Sequence, residues 1–450
     1  MFYVKFLKYK KYILLFFTIL QGALSSKAQW IDWGSPVTRF WSTHNVIALD
    51  TNGIVYYACT ENQPSSVPKP ILKKFDGTSW VSIMFEYDTL NQIEFEEALI
   101  DSNNQLNIFY RNDRQILDIN NNYLYTVKQY GCKVLKSNGW HDLTGTWLDA
   151  DTNQFTLHAC LDRNNNVYGV ITTQNNLIIK RWNGLSWTKY SNNGLPPYRY
   201  KLRIAYSEGN TYLALLNTAT FSTEVYVYNQ NEWIQIGSFN SGNAEVKLLN
   251  TPNNKLYLTY KNKCVQLNKT TLQWQDIGPS MENIFGDEYD FRCDEKSNLF
   301  VCTSALASQE AKCFYFDGIV WVNIDNRVSE NIAGETRLAV YDNQLYVGYN
   351  DFILSKAIVR KHDLNLGTAV LKSSDVFAYY SNQSLWIRNN KMEVLNLEIL
   401  TIEGIRVFTK QISNDLNAIK LENLTNGIYL ARIKDIQNSD PLSFKFVKTN

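Results

Sequence analysis

The sequence has few of the residues from which metal and catalytic sites are usually built. Its 450 residues include four histidines, and no two of them have the spacing of a metal-ligand pair. The seven cysteines form no CxxC or Cys/His pattern, which gives no support to a zinc site. No GxSxG, HExxH, P-loop, GxGxxG or EF-hand sequence is present. The sequence therefore identifies no catalytic residue and predicts no metal and no cofactor.

An excess of charge of one sign is also lacking. The chain has 44 basic and 43 acidic residues, a net charge of +1, and the basic residues are scattered. Nucleic acids and anionic membrane surfaces are bound by concentrated basic surfaces, so neither is predicted as a partner. No stretch after residue 28 is apolar enough to cross a bilayer, which takes ~20 residues. The mature chain is predicted to have no transmembrane segment.

The amino end predicts a secretory signal peptide over residues 1–28. A segment with four lysines precedes an apolar run over residues 12–20, and the small residues Ser26 and Ala28 match a cleavage site. Cleavage is expected after Ala28. No cysteine follows, so a lipoprotein anchor is not predicted.

Seven cysteines are an odd number, and in a chain of this length they do not indicate a disulfide framework. One pair is a candidate disulfide, because Cys293 and Cys302 flank Ser297 and Asn298 symmetrically and would face each other across a hairpin. The alternative, that both are small buried hydrophobic residues, stays open.

Aromatic residues, in contrast, are abundant at 14%, and they favour β-strands. A short segment recurs in which Asp or Asn, usually with a Gly, precedes a Trp, as in residues 76–80, 183–187 and 317–321. The repeated tryptophans recur about every 45 residues, the length of one four-stranded propeller blade. Each unit has an apolar strand, a polar turn, a Tyr- or Phe-bearing strand, a third strand, and the Trp strand.

The last unit, near residues 337–361, lacks a Trp strand, and residues 30–34 match the missing strand in frame. The sequence therefore predicts an all-β chain whose residues 29–371 form a seven-bladed β-propeller closed by the amino-terminal strand. The repeated tryptophans occupy one fixed strand position, so they are predicted to pack between blades rather than stack on sugars or bases. They are Trp30, Trp80, Trp140, Trp187, Trp233, Trp274 and Trp321.

This repeat resembles the kelch-like and galactose-oxidase-like propellers over residues 30–370. The double glycine of kelch repeats is absent, and the serine of the sialidase Asp-box is missing near Asp76 and Gly77. The resemblance implies the propeller fold and does not imply sialidase activity.

Two acidic pairs, Glu96 with Glu97 and Asp287 with Glu288, could act as glycosidase carboxylates if a cleft brought two carboxyls together. Solvated loop charge is the alternative. His158 falls in a predicted strand and is interpreted as a core or face residue. Long connections over residues 61–70, 86–97, 111–123 and 304–311 are candidate binding loops, or simply tolerated insertions.

After residue 371 the repeat stops, and short alternating strands predict a small β-sandwich over residues 372–450. The segments 399–407, 421–433 and 444–448 resemble, in order, the three signature segments of the type IX secretion C-terminal sorting domain. The residues that carry this resemblance are Gly404, Gly427, Ile428, Tyr429, Lys445, Phe446 and Val447. The Pro-Asn-Pro usual near the start of that domain is replaced by residues 380–383. A fibronectin-like binding module is the alternative.

The resemblance implies a Bacteroidetes-type exported protein. Its partners would be the type IX secretion machinery and a sortase-like peptidase that removes the sorting domain, leaving the passenger released or attached to the cell surface. The predicted function is binding of a glycan or another surface macromolecule, in adhesion or nutrient capture. A polysaccharide-degrading hydrolase or lyase and a structural surface protein are the alternatives, so the sequence leaves open whether the chain is an enzyme.

Overall fold

The structure of the chain is a computed structural model. It describes residues 30–64, 67–87, 91–119, 123–143, 154–173, 177–196, 200–217, 220–242, 245–279, 288–304, 310–318, 320–324, 327–364, 371–372, 376–381, 384–389, 394–401, 404–413, 416–421, 423–435 and 442–448. The predicted signal peptide, with Ala28, lies outside the described residues.

The described residues form strands and contain no helix, which confirms the all-β prediction. It follows that they include no helix long and apolar enough to cross a membrane. The chain divides into two units between Asp363 and Leu364, several residues before the boundary at 371 that the sequence suggests.

The described residues of the first unit form seven antiparallel sheets of four strands each. The strands are β1 (Ile31–Asp32), which belongs to the last sheet; β2 (Ser42–Leu49), β3 (Val55–Glu61), β4 (Lys69–Phe75) and β5 (Trp80–Ser82); β6 (Gln92–Ile100), β7 (Leu106–Leu117), β8 (Tyr123–Lys136) and β9 (Gly139–Asp142); β10 (Gln154–Leu161), β11 (Val167–Thr173), β12 (Leu177–Trp182) and β13 (Trp187–Lys189); β14 (Tyr200–Ser207), β15 (Asn210–Asn217), β16 (Ser222–Asn229) and β17 (Glu232–Asn240); β18 (Val246–Asn250), β19 (Leu256–Tyr260), β20 (Lys263–Asn268) and β21 (Gln273–Asp276); β22 (Glu288–Cys293), β23 (Leu299–Ser304), β24 (Ala311–Phe316) and β25 (Trp321–Asn323); and β26 (Ala333–Tyr341), β27 (Gln344–Asp351) and β28 (Lys356–Asp363).

The amino-terminal strand β1 pairs with β28 of the last sheet. Ile31 lies opposite Lys361 and Asp32 lies opposite Arg360, and the Arg360 guanidinium donates a 2.7 Å hydrogen bond to the Asp32 carboxylate. The first strand of each sheet contacts the first strand of the next sheet, and β2 contacts both β6 and β26.

The turn after each first strand follows from its sequence. In the Asp162 turn, the side-chain oxygen Oδ1 accepts the backbone N–H groups of Asn164 and Asn166, at 2.8 and 2.9 Å, and Asn165 takes a φ of 62°. Asn tolerates this left-handed conformation better than most residues. Asp50, Asp101 and Asp294 form the same turn.

Neighbouring turns are joined through the side chain of their left-handed residue. Thr51 N–H donates to Asn104 Oδ1 at 2.8 Å, and Ser102 N–H donates to Asn165 Oδ1 at 2.8 Å. The polar residues of the repeat therefore make contacts between sheets as well as within them.

Repeated tryptophans also join neighbouring sheets. The Trp80 indole N–H donates to the Trp33 carbonyl at 3.0 Å. Trp80 is on β5, and Trp33 directly follows β1, so this bond joins the first sheet to the last one. The same kind of bond joins Trp140 to Met84 (2.7 Å), Trp233 to Ser191 (2.8 Å), Trp274 to Ile236 (3.0 Å) and Trp30 to Ile324 (3.3 Å).

The second unit has two four-stranded sheets that share one apolar core. Phe446 is fully buried in this core, with its ring 4.7 Å from that of Tyr380 and 5.6 Å from that of Tyr429. The strands are β29 (Leu371–Lys372), β30 (Val376–Ser381), β31 (Ser384–Asn389) and β34 (Leu416–Lys420) in one sheet, and β33 (Arg406–Ile412), β32 (Leu395–Thr401), β35 (Gly427–Asp435) and β36 (Leu442–Lys448) in the other.

The candidate disulfide between Cys293 and Cys302 is not formed. Cys293 lies opposite Leu299, and Cys302 lies opposite Asp290 on one side and Cys313 on the other. The Asp294 side chain fixes a turn over residues 294–298, which shifts the register of the hairpin away from the symmetric one. All seven cysteines are free thiols.

Strands cover half or more of two of the expected binding loops. β6 begins at Gln92, inside the expected loop 86–97, and β7 continues to Leu117, inside the expected loop 111–123. Glu96 and Glu97 are therefore strand residues, and the interpretation of this pair as solvated loop charge is wrong.

Candidate binding cavity

The first unit contains a cavity of about 680 Å³, and the first strands of all seven sheets contribute to its wall. Its ionisable wall residues include Glu96, Glu97, His158, Arg203, Glu245, Lys247, Asp290, Arg292 and Arg337. The wall extends to Ser102, Arg163 and Pro252 in the turns that follow the first strands.

One position on the first strands contributes a residue from every sheet to this wall. It stands four residues before the residue at which the turn begins, so that Glu97 precedes Asp101 and His158 precedes Asp162. Because the strands lie side by side, equivalent positions meet at one level of the cavity. The residues at this position are Val46, Glu97, His158, Arg203, Lys247, Asp290 and Arg337.

Bulges in the first strands alter which side chains face the cavity. The register of β6 with β7 shifts between Phe95 and Glu97, so Glu96 is the extra residue, and both glutamates reach the cavity wall. His44 and Glu335 lie in similar bulges of β2 and β26, with φ values of 55° and 50°. Such left-handed conformations are costly for non-glycine residues and cluster at functional sites.

Arg292 joins two carboxylates. Its Nη2 lies 2.7 Å from Glu97 Oε1, and its Nε lies 3.2 Å from Asp290 Oδ2. Asp290 also accepts the backbone N–H of Leu338 at 3.0 Å. Burial opposes ionisation of Asp290, but the charges of Arg292, Lys247 and Arg337 outweigh it and lower its pKa to about 2.

Glu245 joins two cations. It pairs with Arg203, and Lys247 Nζ lies 2.8 Å from its Oε1. Burial opposes ionisation of Glu245, but Lys247 and Arg203 lower its pKa to about 2. Both carboxylates are therefore ionised across the physiological range.

His158 is held as a neutral imidazole. Its Nδ1 accepts the backbone N–H of Ile204 at 3.3 Å, and its Nε2 lies 3.7 Å from Glu97 Oε2. Burial, followed by the charges of Arg203, Lys247 and Arg292, lowers the pKa of His158 well below its usual value.

A second charged group lies next to the cavity, around Glu94. His44 Nε2 lies 3.0 Å from the Glu94 carboxylate, which also pairs with Arg111, and Arg111 Nε lies 2.8 Å from Asp113. Burial opposes the charge on His44, but the hydrogen bond with Glu94 and the charge of Glu94 raise the pKa of His44. Burial likewise opposes the charge on Glu94, but the hydrogen bond with His44 and the charges of His44 and Arg111 lower the pKa of Glu94.

Glu96 differs from its neighbour Glu94. Burial raises the pKa of Glu96 to about 7, Arg111 and His44 partly oppose this, and the charge of Glu94 adds to it. Its Oε1 lies 3.8 Å from Arg111 Nη1. Near neutral pH, Glu94 is therefore ionised, whereas Glu96 is partly protonated.

The structure thus brings together Glu96, Glu97 and His158 from the residues that the sequence suggested for chemistry. Asp287 lies outside the described residues. The cations Arg203, Lys247, Arg292 and Arg337 were missed. For Arg203, Lys247 and Arg337, the available signal was a basic residue four positions before a turn. Among the described residues, no group of three or more His, Cys, Asp or Glu side chains could hold a metal ion.

Residues 381–447 match the family described as Secretion system C-terminal sorting domain. The match contains all the residues on which the sorting prediction rested, so the prediction of a type IX sorting domain is confirmed. This domain indicates export, to the cell surface or the surrounding medium. No curated protein matches the chain.

Several solved structures resemble the chain at low identity. A protein of unknown function from Dyadobacter fermentans has 11% identity and a TM-score of 0.44, over 74% of this chain and 97% of its own. Trypanosoma rangeli sialidase has 9% identity and a TM-score of 0.44, over 95% and 93%. The Aleuria aurantia lectin, described as a six-bladed β-propeller, has 12% identity and a TM-score of 0.39, over 64% and 96%. These similarities are too distant to transfer a ligand or an activity.

Proposed function

We propose that the first unit is a seven-bladed β-propeller that the amino-terminal strand closes. Three observations support this architecture: the seven four-stranded sheets, the pairing of β1 with β28, and the contact of β2 with both β6 and β26. Five of the repeated tryptophans would then hold neighbouring blades together through their indole N–H groups: Trp30, Trp80, Trp140, Trp233 and Trp274.

We propose that this propeller is an exported binding protein whose cavity takes a polar ligand, a glycan or a glycan-bearing macromolecule. The observation that carries this proposal is the wall of charged side chains on the first strands. Apolar side chains would fill a purely structural centre at lower cost, because buried charges must be paired to be tolerated. Hydroxyl-rich ligands match such a wall, since each charged group can donate to or accept from a hydroxyl.

The test is a binding screen of the purified full chain against neutral and charged polysaccharides and glycoproteins. Retention of one class, lost in an Arg292→Gln variant that still folds, would support the proposal. Arg360→Gln is the matched control, because Arg360 is also ion-paired and mostly buried but lies on β28, outside the cavity wall. Retention that is equal in both variants would place the ligand elsewhere.

A second function, hydrolysis or lysis of a polysaccharide, is favoured by one observation. Glu94 and Glu96 have pKa values pushed in opposite directions, the arrangement that lets one carboxyl donate a proton while its neighbour stays ionised. Release of new reducing ends, abolished by Glu96→Gln, would support it. Saccharide that is bound without any product would reject it.

We further propose that the source is a bacterium of Bacteroidetes type and that a peptidase of the secretion system removes the second unit. The sorting-domain match supports this step. Mass spectrometry of the secreted or surface-attached form would show the loss of residues after the boundary. Recovery of the intact chain at the surface would contradict it.

A further inference from the structure

We propose that Cys302 and Cys313 form a disulfide that links β23 to β24 when the exported chain folds in oxidising surroundings. Both are free thiols in this structure. The inference rests on the register of the two strands and on the export that the sorting domain indicates, and it does not depend on which ligand the cavity takes.

The register places these two cysteines side by side. Cys302 on β23 lies directly opposite Cys313 on β24. Side chains that pair directly across antiparallel strands point to the same face of the sheet. Both residues are fully buried, and the two thiols are close enough to share a hydrogen bond. Within the strands that the structure describes, no other two cysteines lie opposite each other.

The backbone around this pair leaves room for a short cross-link. The Cys313 carbonyl accepts the backbone N–H of Ile324, which directly follows β25, so it points toward β25 and away from β23. Cys302 and Cys313 are therefore a non-hydrogen-bonded pair, the kind in which the facing side chains are closer. The Cα atoms of such a pair lie about 4.5 Å apart, within the range of about 4.4–6.8 Å that disulfides span.

The compartment supplies the oxidising condition. The carboxyl-terminal sorting domain indicates that the chain is exported. Exported proteins fold and work where disulfides form and persist, whereas cytosolic thiols are kept reduced. A pair of facing cysteines in an exported chain is therefore placed where it can be oxidised.

The link forms by exchange with a disulfide oxidant, either a small-molecule disulfide or an oxidase that carries one. The thiolate of one cysteine attacks the S–S bond of the oxidant, which gives a mixed disulfide and releases one oxidant thiol. The thiolate of the other cysteine then attacks the protein sulfur of the mixed disulfide and releases the second oxidant thiol. The protein loses two protons and two electrons, and the oxidant gains both.

Burial decides when this exchange takes place. Burial raises the pKa of the Cys302 thiol well above its usual value, and exchange needs the thiolate. Residues 303–312 alone separate the two cysteines, so β23 and β24 can pair as a local hairpin, which takes about 1–10 μs, before the sheets pack together. We therefore expect oxidation during folding rather than afterwards.

The link would stabilise a sheet that contributes to the cavity. Asp290 of the cavity wall lies opposite Cys302 on the other side of β23, so Asp290, Cys302 and Cys313 form one row across three strands. A covalent bond in this row fixes β23, against which the cavity strand β22 is paired.

The experiment counts free thiols in the full chain, produced with export to a bacterial periplasm and purified without reductant. The chain is unfolded in urea and treated with N-ethylmaleimide, and mass spectrometry counts the labels. We expect two labels fewer than the seven that the same sample takes up when it is reduced first. Proteolysis should give one linked peptide that joins Cys302 to Cys313. Seven labels without reduction, or a link between other cysteines, would overturn the proposal.

Single variants give a second readout that does not need a stable fold. Cys302→Ala removes one cysteine but should raise the number of labels by one, because Cys313 becomes free. Cys264→Ala is the matched control, since Cys264 is also buried but lies opposite Thr259, and it should lower the number of labels by one. If Cys302→Ala also lowers the number by one, no link exists.

Thermal unfolding tests whether the link stabilises the sheet. Cys302→Ala and Cys313→Ala should each lower the Tm by roughly 5 °C, and the double variant should lower it by little more, because the same bond is lost in all three. Losses that add in the double variant, each no larger than that of Cys264→Ala, would contradict a stabilising link.

Discussion

Arg292 and Glu97 lie 195 residues apart in the chain, yet the guanidinium of one donates a 2.7 Å hydrogen bond to the carboxylate of the other. Arg292 is on β22 and Glu97 is on β6, and the sheets of these strands are not neighbours: those of β2 and β26 separate them on one side, and three more on the other. This ion pair therefore joins opposite parts of the first unit through its cavity.

A double-mutant cycle on Glu97→Gln and Arg292→Gln should give a coupling energy of roughly 1–3 kcal/mol, between the values for exposed and buried ion pairs. The Glu97 side chain is only 12% exposed, so little water screens the pair. Urea unfolding measures it. The exposed pair Arg327 and Glu310 is the control and should give less than about 0.5 kcal/mol. Equal coupling energies for the two pairs would contradict the role of the cavity pair.

Trp30→Ala should lower the free energy of unfolding by about 3–5 kcal/mol. Trp30 is 5% exposed, its ring lies 5.1 Å from that of His362, and its indole N–H reaches the Ile324 carbonyl. The exposed neighbour Ile31, also on the closing segment, gives the control Ile31→Ala, with an expected loss below about 0.5 kcal/mol. If the two losses in urea unfolding are the same, the amino-terminal strand does not close the propeller.

Gly34→Ala should destabilise the chain more than Gly53→Ala. The two glycines have nearly the same φ, 83° and 79°, so the backbone cost is shared. A Cβ at Gly34 would lie 2.7 Å from Phe75 and 3.1 Å from Trp80, whereas nothing lies within 4 Å at Gly53. The difference should be roughly 1–3 kcal/mol, the cost of overpacking. Thermal unfolding of both variants measures it, and equal losses would show that Gly34 is not tightly packed.

Glu96→Gln should stabilise the chain at pH 8 and have little effect at pH 4. The pKa of Glu96 rises from 4.5 in the unfolded chain to about 7 in the folded chain, so the unfolded chain releases this proton first as pH rises. The folded chain therefore loses stability between these pH values, by up to about 3 kcal/mol, and the Gln variant avoids the loss. Urea unfolding across pH measures it, with Glu232→Gln on the exposed edge of β17 as control. If the difference in unfolding free energy between the Glu96→Gln variant and the original chain does not change with pH, the pKa of Glu96 is not raised.

Gly427→Val should block export. The three atoms nearest to an added Cβ at Gly427 belong to the Tyr429 side chain, at 3.6–3.8 Å, which is ordinary contact, so the second unit should still fold. The variant would instead change the surface of the segment that begins β35. Export is measured as the fraction of chain outside the cell, with Thr409→Val on the exposed strand β33 as control. Normal export of a folded Gly427→Val chain would contradict the recognition of this segment.

The second unit shows how far local sequence determines structure. Gly427, Tyr429 and Phe446 carry part of the resemblance that implied a sorting domain, and Tyr429 and Phe446 lie opposite each other on β35 and β36. Strand alternation, turn residues and short motifs act over a few residues, so they can be read directly from the chain. The four-strand units of the first unit were predictable for the same reason.

The sequence by itself determined that the chain is all-β, that its first unit repeats a four-stranded element, and that its end is a sorting domain. The register that separates Cys293 from Cys302 is also local, because the Asp294 side chain sets that turn, and the symmetric alignment of the two cysteines did not take this turn into account. Only the tertiary structure decided that Glu97 meets Arg292, because their contact depends on how whole sheets are arranged around the cavity. Each charged residue alone is compatible with an exposed strand face, and the cavity appears only when seven first strands stand side by side.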